Sequence, residues 1–525
     1  MTTTTLKNNK GRILWVDDEV EMLRPHTIML MQAGYHVDAV MNGNDALDLL
    51  EAERYDLILL DEQMPGLRGI EVLTEIRRRG RRVPVVMVTK SEADSTMHEA
   101  IGREVADYIV KPTSPRQVLS VVTRLLAGRK LRHEQISRDF SSRFGAIREE
   151  IASASTWRDF AGLHAQLVDW ELGLESAGET ALLELLEGLR QDILRGFCDL
   201  VCRHYPEWVN EDTTDGPPLS VDVLPEFFAP LITSGEPSML VIIDCLRLDQ
   251  WRAMLPLLDP YFDVEEALYG SILPTATPFS RNAIFSGLFP DELEERRPGW
   301  YASGEKEGFN SFEDELLHAH VRELAGHEVT THYEKLFSAD QGEAMLRRLP
   351  GYLTGSSVTA LVFGFVDLLT HGRSESPLIR EVARDAAALR SLTVTWFERS
   401  AAFAALREAS ARGVKVLLTT DHGSIHCNHP ATIYARRDAT ANLRYKFGRD
   451  IRLEDPRTAM LVTNPKDLRL PDRGPNTRYA ICRADHYFVY PTKLREYQSR
   501  YRDSFLHGGI SPEEMILPAA LLSPK

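Results

Sequence analysis

Four segments in the last three hundred residues end in side chains that can hold a metal or attack an electrophile. Asp244 follows SMLVII, Thr277 follows SILPTA, Asp367 follows ALVFGFV, and Asp421 with His422 follows VKVLLTT. Asp244 and the Asp421–His422 pair can ligate one metal. Asp367 with His371, four residues on, can reach a second, and His507 in FLHGGISPEE can complete it. Imidazole and carboxylate together suit Zn²⁺ better than Mg²⁺, although composition leaves Mn²⁺ open. Thr277 supplies a hydroxyl that is inert at its free pKa and becomes nucleophilic when a dication favours its alkoxide. Each position also has a plainer use: His371 and His507 as surface or core residues, Thr277 as the cap of a helix starting near Ser280. As a set they point to a two-metal hydrolase site.

The first hundred or so residues repeat the placement with different chemistry. Asp17 and Asp18 follow RILWV, Asp61 follows DLILL, Thr89 follows VPVVMV and Lys111 follows DYIV. Clustered carboxylates hold a hard cation such as Mg²⁺ through oxygen ligands, which would leave Asp61 placed to attack a phosphoryl group. Thr89 and Lys111 would then contact phosphate oxygens. A single acid at a strand end is usually a solvated turn residue; five suitable residues in order are harder to explain that way.

Side chains so far apart in sequence meet only if parallel strands carry them to one edge of a sheet, where open α/β sheets bind ligands. The expected architecture is α/β throughout, with a helical middle. Residues 9–127 read as a doubly wound domain with helices over 21–33, 43–53, 69–79 and 115–126. Residues 128–215 read as a helical bundle: Thr156 and Asp159 resemble a capping box, and Leu182, Leu186, Leu189, Ile193, Phe197 and Leu200 form one apolar face. That face is either bundle core or a coiled-coil seam. The stretch 211–220 reads as a hinge, and 216–525 as one large α/β domain.

Length and composition agree. A chain of 525 residues exceeds the roughly 250–300 at which single cores stop growing. Five scattered cysteines make no disulfide framework, and a net charge of −16 argues against duplex DNA binding. The opening MTTTTLKNNKGR lacks the apolar segment of a secretory leader, and no apolar run reaches the roughly 18 residues needed to span a bilayer. A cytoplasmic protein without membrane insertion is expected.

The motifs VDDE (16–19), LLDEQMPG (59–66), VT (88–89) and YIVKP (108–112) resemble the response-regulator receiver family. The resemblance implies a sensor histidine kinase as partner and Asp61 as phosphorylation site. It implies Asp17, Asp18, Asp61 and the Gln63 carbonyl as Mg²⁺ ligands, Thr89 as switch hydroxyl and Tyr108 as switch aromatic, where core filling is the alternative for Tyr108. A homodimer on phosphorylation is also implied. No helix-turn-helix output segment follows.

VIIDCLRLDQW (241–251), LPTATPFSRNAIFSG (273–287), VDLLTH (366–371), TTDHG (419–423), RYKFGR (444–449) and HGGISPEEMILP (507–518) look like the PglZ branch of the alkaline-phosphatase superfamily. This implies Asp244, Thr277, Asp421 and His422 around one zinc, and Asp367, His371 and His507 around the other. Thr at the nucleophile position disfavours sulfatase chemistry, which needs Cys or Ser. Receiver, bundle and PglZ domain in this order resemble response regulators of the type IX secretion system. The implied activity is hydrolysis of cyclic nucleotides or cyclic oligonucleotides; the rival is an interaction scaffold for a sigma factor or secretion component.

Two segments are expected to shape the substrate. Residues 292–355 read as an inserted cap. Residues 432–449 carry Arg436, Arg437, Arg444, Lys446 and Arg449 with Tyr434, Tyr445 and Phe447, a patch suited to phosphates and bases, with a solvated face or dimer contact as the alternative. Arg281 is a further phosphate-clamp candidate. His426, Cys427 and His429 are not counted as ligands.

Overall fold

The computed structural model describes residues 10–79, 81, 83–90, 105–211, 216–297, 310–355, 357–436, 440 and 442–525. They form two compact units, Met1–Asp139 and Phe140–Lys525.

In the first unit five parallel strands lie in the order His36–Val40, Arg12–Val16, Leu57–Asp61, Val85–Thr89, Asp107–Val110. Leu57–Asp61 and Val85–Thr89 are buried on both faces, as their unbroken apolar runs require in a sheet covered by helices on both sides. The expected helices are present as Arg24–Gln32, Gly43–Ala52 and Gly69–Arg78. The fourth does not stop near residue 126. It runs from Pro115 to Ser153, because a lone Gly128 costs a helix only about 1 kcal/mol and does not end it.

In the second unit the expected capping box forms, with Thr156 Oγ1 accepting from the Asp159 N–H at 3.2 Å and Asp159 returning the bond at 2.9 Å. The helices Trp157–Ala177 and Thr180–Asn210 pack on each other. Phe197 meets Trp157 and Phe160 with ring centroids 5.7 and 6.0 Å apart, so the apolar face of the second helix is core within one chain. The main sheet has six strands in the order Phe262–Gly270, Ile516–Pro524, Lys415–Thr419, Ser238–Ile243, Ser357–Phe363, Thr330–Leu336. The last four are parallel to one another, and Ile516–Pro524 is antiparallel to both its neighbours.

The expected cap is corrected for the described part of the segment; residues 298–309 lie outside the described residues. Within 292–355, the helix Glu313–Ala325, the strand Thr330–Leu336 and the helix Ala339–Tyr352 form a regular part of the sheet layer. Their charge lies on the solvent faces of the two helices and on an edge strand that is partly exposed along its length.

A candidate two-metal site and a phosphoacceptor site

In the first unit Asp17 and Asp61 are buried and Asp18 half-buried, and one carboxylate oxygen from each lies within 4.8 Å of the others. Lys111 Nζ sits 2.9 Å from Asp61 Oδ2 and 3.0 Å from Asp17 Oδ2. Asp61 Oδ1 is buried and has no hydrogen-bond partner among the described residues. Burial raises the Asp61 pKa, Lys111 opposes that and Asp17 adds to it. Burial disfavours the Lys111 ammonium, yet pairing with Asp61 and Asp17 raises its pKa overall. A buried acid cluster with one cation and an open carboxylate oxygen fits a Mg²⁺ ion. The Gln63 backbone N–H approaches the Asp61 carboxylate. Thr89 is buried at its strand end, and Tyr108 is half-buried against the core.

In the second unit the parallel strands end together. The Asp244 N–H donates to Phe363 O at 2.9 Å and the Gly364 N–H to Leu336 O at 3.1 Å. Beyond these ends the predicted residues form two clusters: Asp244, Asp421 and His422, and Asp367, His371 and His507. In the second cluster His507 Nε2 is 3.1 Å from His371 Nε2 and 3.6 Å from Asp367 Oδ1, and His371 Nε2 is 3.3 Å from Asp367 Oδ1. A tetrahedral ion with ligands at about 2.0–2.2 Å separates them by about 3.3–3.6 Å. In the first cluster His422 Nε2 is 3.7 Å from Asp244 Oδ1 and 3.8 Å from Asp421 Oδ2. The His422 and His507 rings stack with centroids 4.3 Å apart, bringing the clusters side by side.

The protonation pattern favours metals. His422 Nδ1 is 3.1 Å from Gly423 O and His507 Nδ1 is 3.4 Å from Thr275 O. A carbonyl oxygen can only accept, so Nδ1 carries the proton and the Nε2 lone pair faces the cluster. Among the described residues Asp421 Oδ2 is buried without a hydrogen-bond partner, and Asp367 Oδ1 faces only the imidazoles of its own cluster. Burial, reinforced by Asp421 and Asp367 against the pull of Arg281, pushes Asp244 up to about 7. Burial also disfavours the Asp367 carboxylate, but His371 beside it holds its pKa below the usual range. Arg281 offsets part of the negative charge, yet three buried or half-buried carboxylates and the imidazole lone pairs still face one another, and these residues fit two bound cations.

Thr277 stands between the clusters and the helix it begins. Its Oγ1 is 3.0 Å from His422 Nε2 and 3.4 Å from Asp244 Oδ1. The helix is Thr277–Ser286, so Thr277 is its first residue and its hydroxyl caps nothing. The loop carrying His507 is fixed by Glu514, which accepts from the Gly509 N–H at 2.8 Å, Ser511 Oγ at 2.7 Å and Arg444 Nε at 3.2 Å. A Cβ on Gly509 would lie 2.3 Å from the Arg444 guanidinium, and one on Gly423 would lie 1.9 Å from Glu513 O. Only glycine permits those approaches.

Two expectations change. Arg281 is 1% exposed; it donates to Asp244 and, at 2.6 Å, to Glu313, and lies 3.5 Å from Asp421. It is buried on carboxylates of the first cluster rather than open to a substrate. The expected patch of Arg436, Arg444, Tyr445 and Lys446 does not assemble as a surface. Arg444 is fully buried on Glu514, and Lys446 is buried with its ammonium on Thr440 O. Arg436 is exposed and pairs with Asp450. Tyr445 is buried with its ring 5.5 Å from that of Phe279. Arg437 lies outside the described residues. Glu313, 1% exposed, carried no sequence signal, and Glu514 stood inside a quoted motif without a role.

Three family models match: a response regulator receiver domain over residues 13–123, a PorX response regulator linker domain over 130–209, and a BREX system PglZ alkaline phosphatase-like domain over 223–521. Among curated proteins, the transcriptional regulatory protein ResD of Bacillus subtilis is 38% identical over 120 residues, 23% of this chain and 50% of its own. The alginate biosynthesis transcriptional regulatory protein AlgB of Pseudomonas putida is 36% identical over 143 residues, 27% of this chain and 31% of its own. The chain thus spans half or less of the length of these two relatives. The solved response regulator TrrA of Thermotoga maritima is 31% identical, covering 22% of this chain and 97% of that one, with a TM-score of 0.20. Among the described residues no helix is long and apolar enough to cross a membrane. The chain is a two-component response regulator of the PorX-like family, in which receiver, linker and PglZ alkaline phosphatase-like domain follow one another.

Proposed function

We propose that the chain is a phosphorylation-controlled, zinc-dependent phosphodiesterase with Thr277 as nucleophile, acting in the cytoplasm on cyclic nucleotides or cyclic oligonucleotides and regulating type IX secretion. The observation that carries this reading is the Thr277 hydroxyl, within 3.0–3.4 Å of two residues of one metal cluster and beside a second cluster. Asp244, Thr277, Asp421 and His422 would hold one zinc and Asp367, His371 and His507 the other. When bound, the pair would supply the Lewis acidity that favours a threonine alkoxide and offsets charge on the phosphoryl oxygens.

In the first step Thr277 Oγ1, having lost its proton to water, bonds to phosphorus as the P–O bond to the leaving alcohol breaks and that oxygen takes a proton from water. A water molecule then cleaves the Oγ1–P ester and Thr277 regains its proton. Arg281 holds Asp244 while Nδ1 protons on His422 and His507 keep both rings oriented. In the receiver, Asp61 would accept a phosphoryl group from a sensor histidine kinase, with Asp17, Asp18, Asp61 and the Gln63 carbonyl around Mg²⁺. Thr89 and Lys111 would contact its oxygens, and Tyr108 would follow Thr89 inward. Homodimerisation would relay the signal.

The test is a screen of phosphodiesters and cyclic oligonucleotides with Thr277→Ala as control. Turnover by the parent chain and none by a variant with the same zinc content is expected. Full turnover by Thr277→Ala would remove Thr277 from the chemistry.

A further inference from the structure

The buried Arg444 and Lys446 leave the two-metal site without the expected substrate surface, yet the neighbouring strand end provides one. Lys335 lies in the edge strand Thr330–Leu336 and Phe337 directly follows its end. Lys335 Nζ lies 5.6 Å from the Phe337 ring centre and 3.4 Å from Glu313 Oε2. The other oxygen of Glu313 holds Arg281 Nε at 2.6 Å, and Arg281 in turn holds Asp244. The Phe337 ring lies against Gly364, where a Cβ would come within 2.6 Å of it, and Gly364 opens the helix that carries Asp367 and His371. Despite that proximity Phe337 is 50% exposed. A large aromatic residue left open beside a cation, one strand end from a phosphoryl site, matches what a nucleotide needs: a face for its base and a donor for its phosphate.

We propose that Phe337 and Lys335 form the nucleotide-binding flank of the metal site, the ring stacking a nucleobase and the ammonium donating to a non-bridging phosphate oxygen. This rests on the phosphodiesterase reading and names the side chains that would recognise the base and phosphate of its nucleotide substrate.

The experiment is calorimetric titration of the zinc-loaded full chain with AMP, ribose 5-phosphate and inorganic phosphate. AMP is expected to bind about tenfold more tightly than ribose 5-phosphate, the increment of one base stacked on an aromatic ring. Phe337→Ala should erase that ratio and Phe337→Trp should keep it. Lys335→Gln should weaken all three ligands by a similar factor with metal content unchanged. Equal binding of AMP and ribose 5-phosphate by the parent chain, or an undiminished ratio in Phe337→Ala, would overturn the stacking role. Unchanged phosphate affinity in Lys335→Gln, or loss of its metal, would assign Lys335 to the support of Glu313 alone and overturn its part. Failure of all three ligands to bind would refute the two-metal reading and this proposal with it, whereas phosphate binding without base preference would refute the proposal alone.

Discussion

The Leu273 N–H donates to the Tyr205 hydroxyl at 2.7 Å, so the linker helix Thr180–Asn210 holds the loop that ends four residues later at Thr277. The same helix reaches the loop after His507, where Cys198 Sγ lies 3.2 Å from Ile510 O, and a third point where Arg190 pairs with Glu513 at 3.7 Å. Glu513 O in turn lies against Gly423, beside His422. The linker therefore buttresses the loops bearing Thr277, His422 and His507.

Removing the Tyr205 hydroxyl should show this. Tyr205→Phe leaves a buried N–H without an acceptor, a loss of about 1–3 kcal/mol. Thermal melting should fall by the corresponding amount, and kcat should fall several-fold as Thr277 loses its fixed position. An unchanged kcat would show that the linker does not hold the nucleophile loop.

Asp61 is the second test. In Asp61→Asn the Lys111 pair and the open carboxylate oxygen are lost. Acetyl phosphate should shift the parent chain to dimer in gel filtration and leave the variant monomeric. A full dimer shift in the variant would separate dimerisation from this carboxylate.

The receiver acids, Thr277 and all six metal-cluster residues were legible because each is a polar residue following an apolar run or repeats at short spacing near one. A strand of fixed direction delivers such a residue to the binding edge whatever the rest of the chain does. The surface near the site was not legible. Arg444 reads as a surface cation, and its burial depends on Glu514, seventy positions away, meeting it in space. Glu313 looks like any helix-starting acid until Arg281 and Tyr333 close on it. The described part of 292–355 misled because the solvent faces of two helices and an edge strand carry as much charge as a loop does.

Stability should depend on pH through His164. It is buried in the linker helix Trp157–Ala177, and burial followed by the charge of Arg190 lowers its pKa to about 3. The unfolded chain takes up this proton below about 6.5, while the folded chain stays neutral until about pH 3. Its contribution is thus fully present above about 6.5 and is lost as pH falls toward 3, at about 1.4 kcal/mol per pH unit. Between pH 6.5 and 5 the urea midpoint of the parent chain should fall more steeply than that of His164→Gln. Parallel slopes would mean the imidazole is protonated in the folded protein.

Glu514 and Arg444 give the sharpest separation of support from ligation. Both side chains are fully buried, and Glu514 ties Gly509, Ser511 and Arg444 to the loop of His507. Glu514→Gln removes the negative partner and strands a buried guanidinium, at a cost of about 3–5 kcal/mol. Substituting both residues, Glu514→Gln with Arg444→Met, removes the stranded charge and should recover part of that loss. The loop contacts made by the carboxylate would not return with it. Metal analysis of the folded protein should accordingly give close to one zinc per chain for both variants against two for the parent, with the retained ion at Asp244, Asp421 and His422. Two zinc ions in the single variant would show that His507 keeps its position without Glu514, and the ion pair would then contribute to stability only.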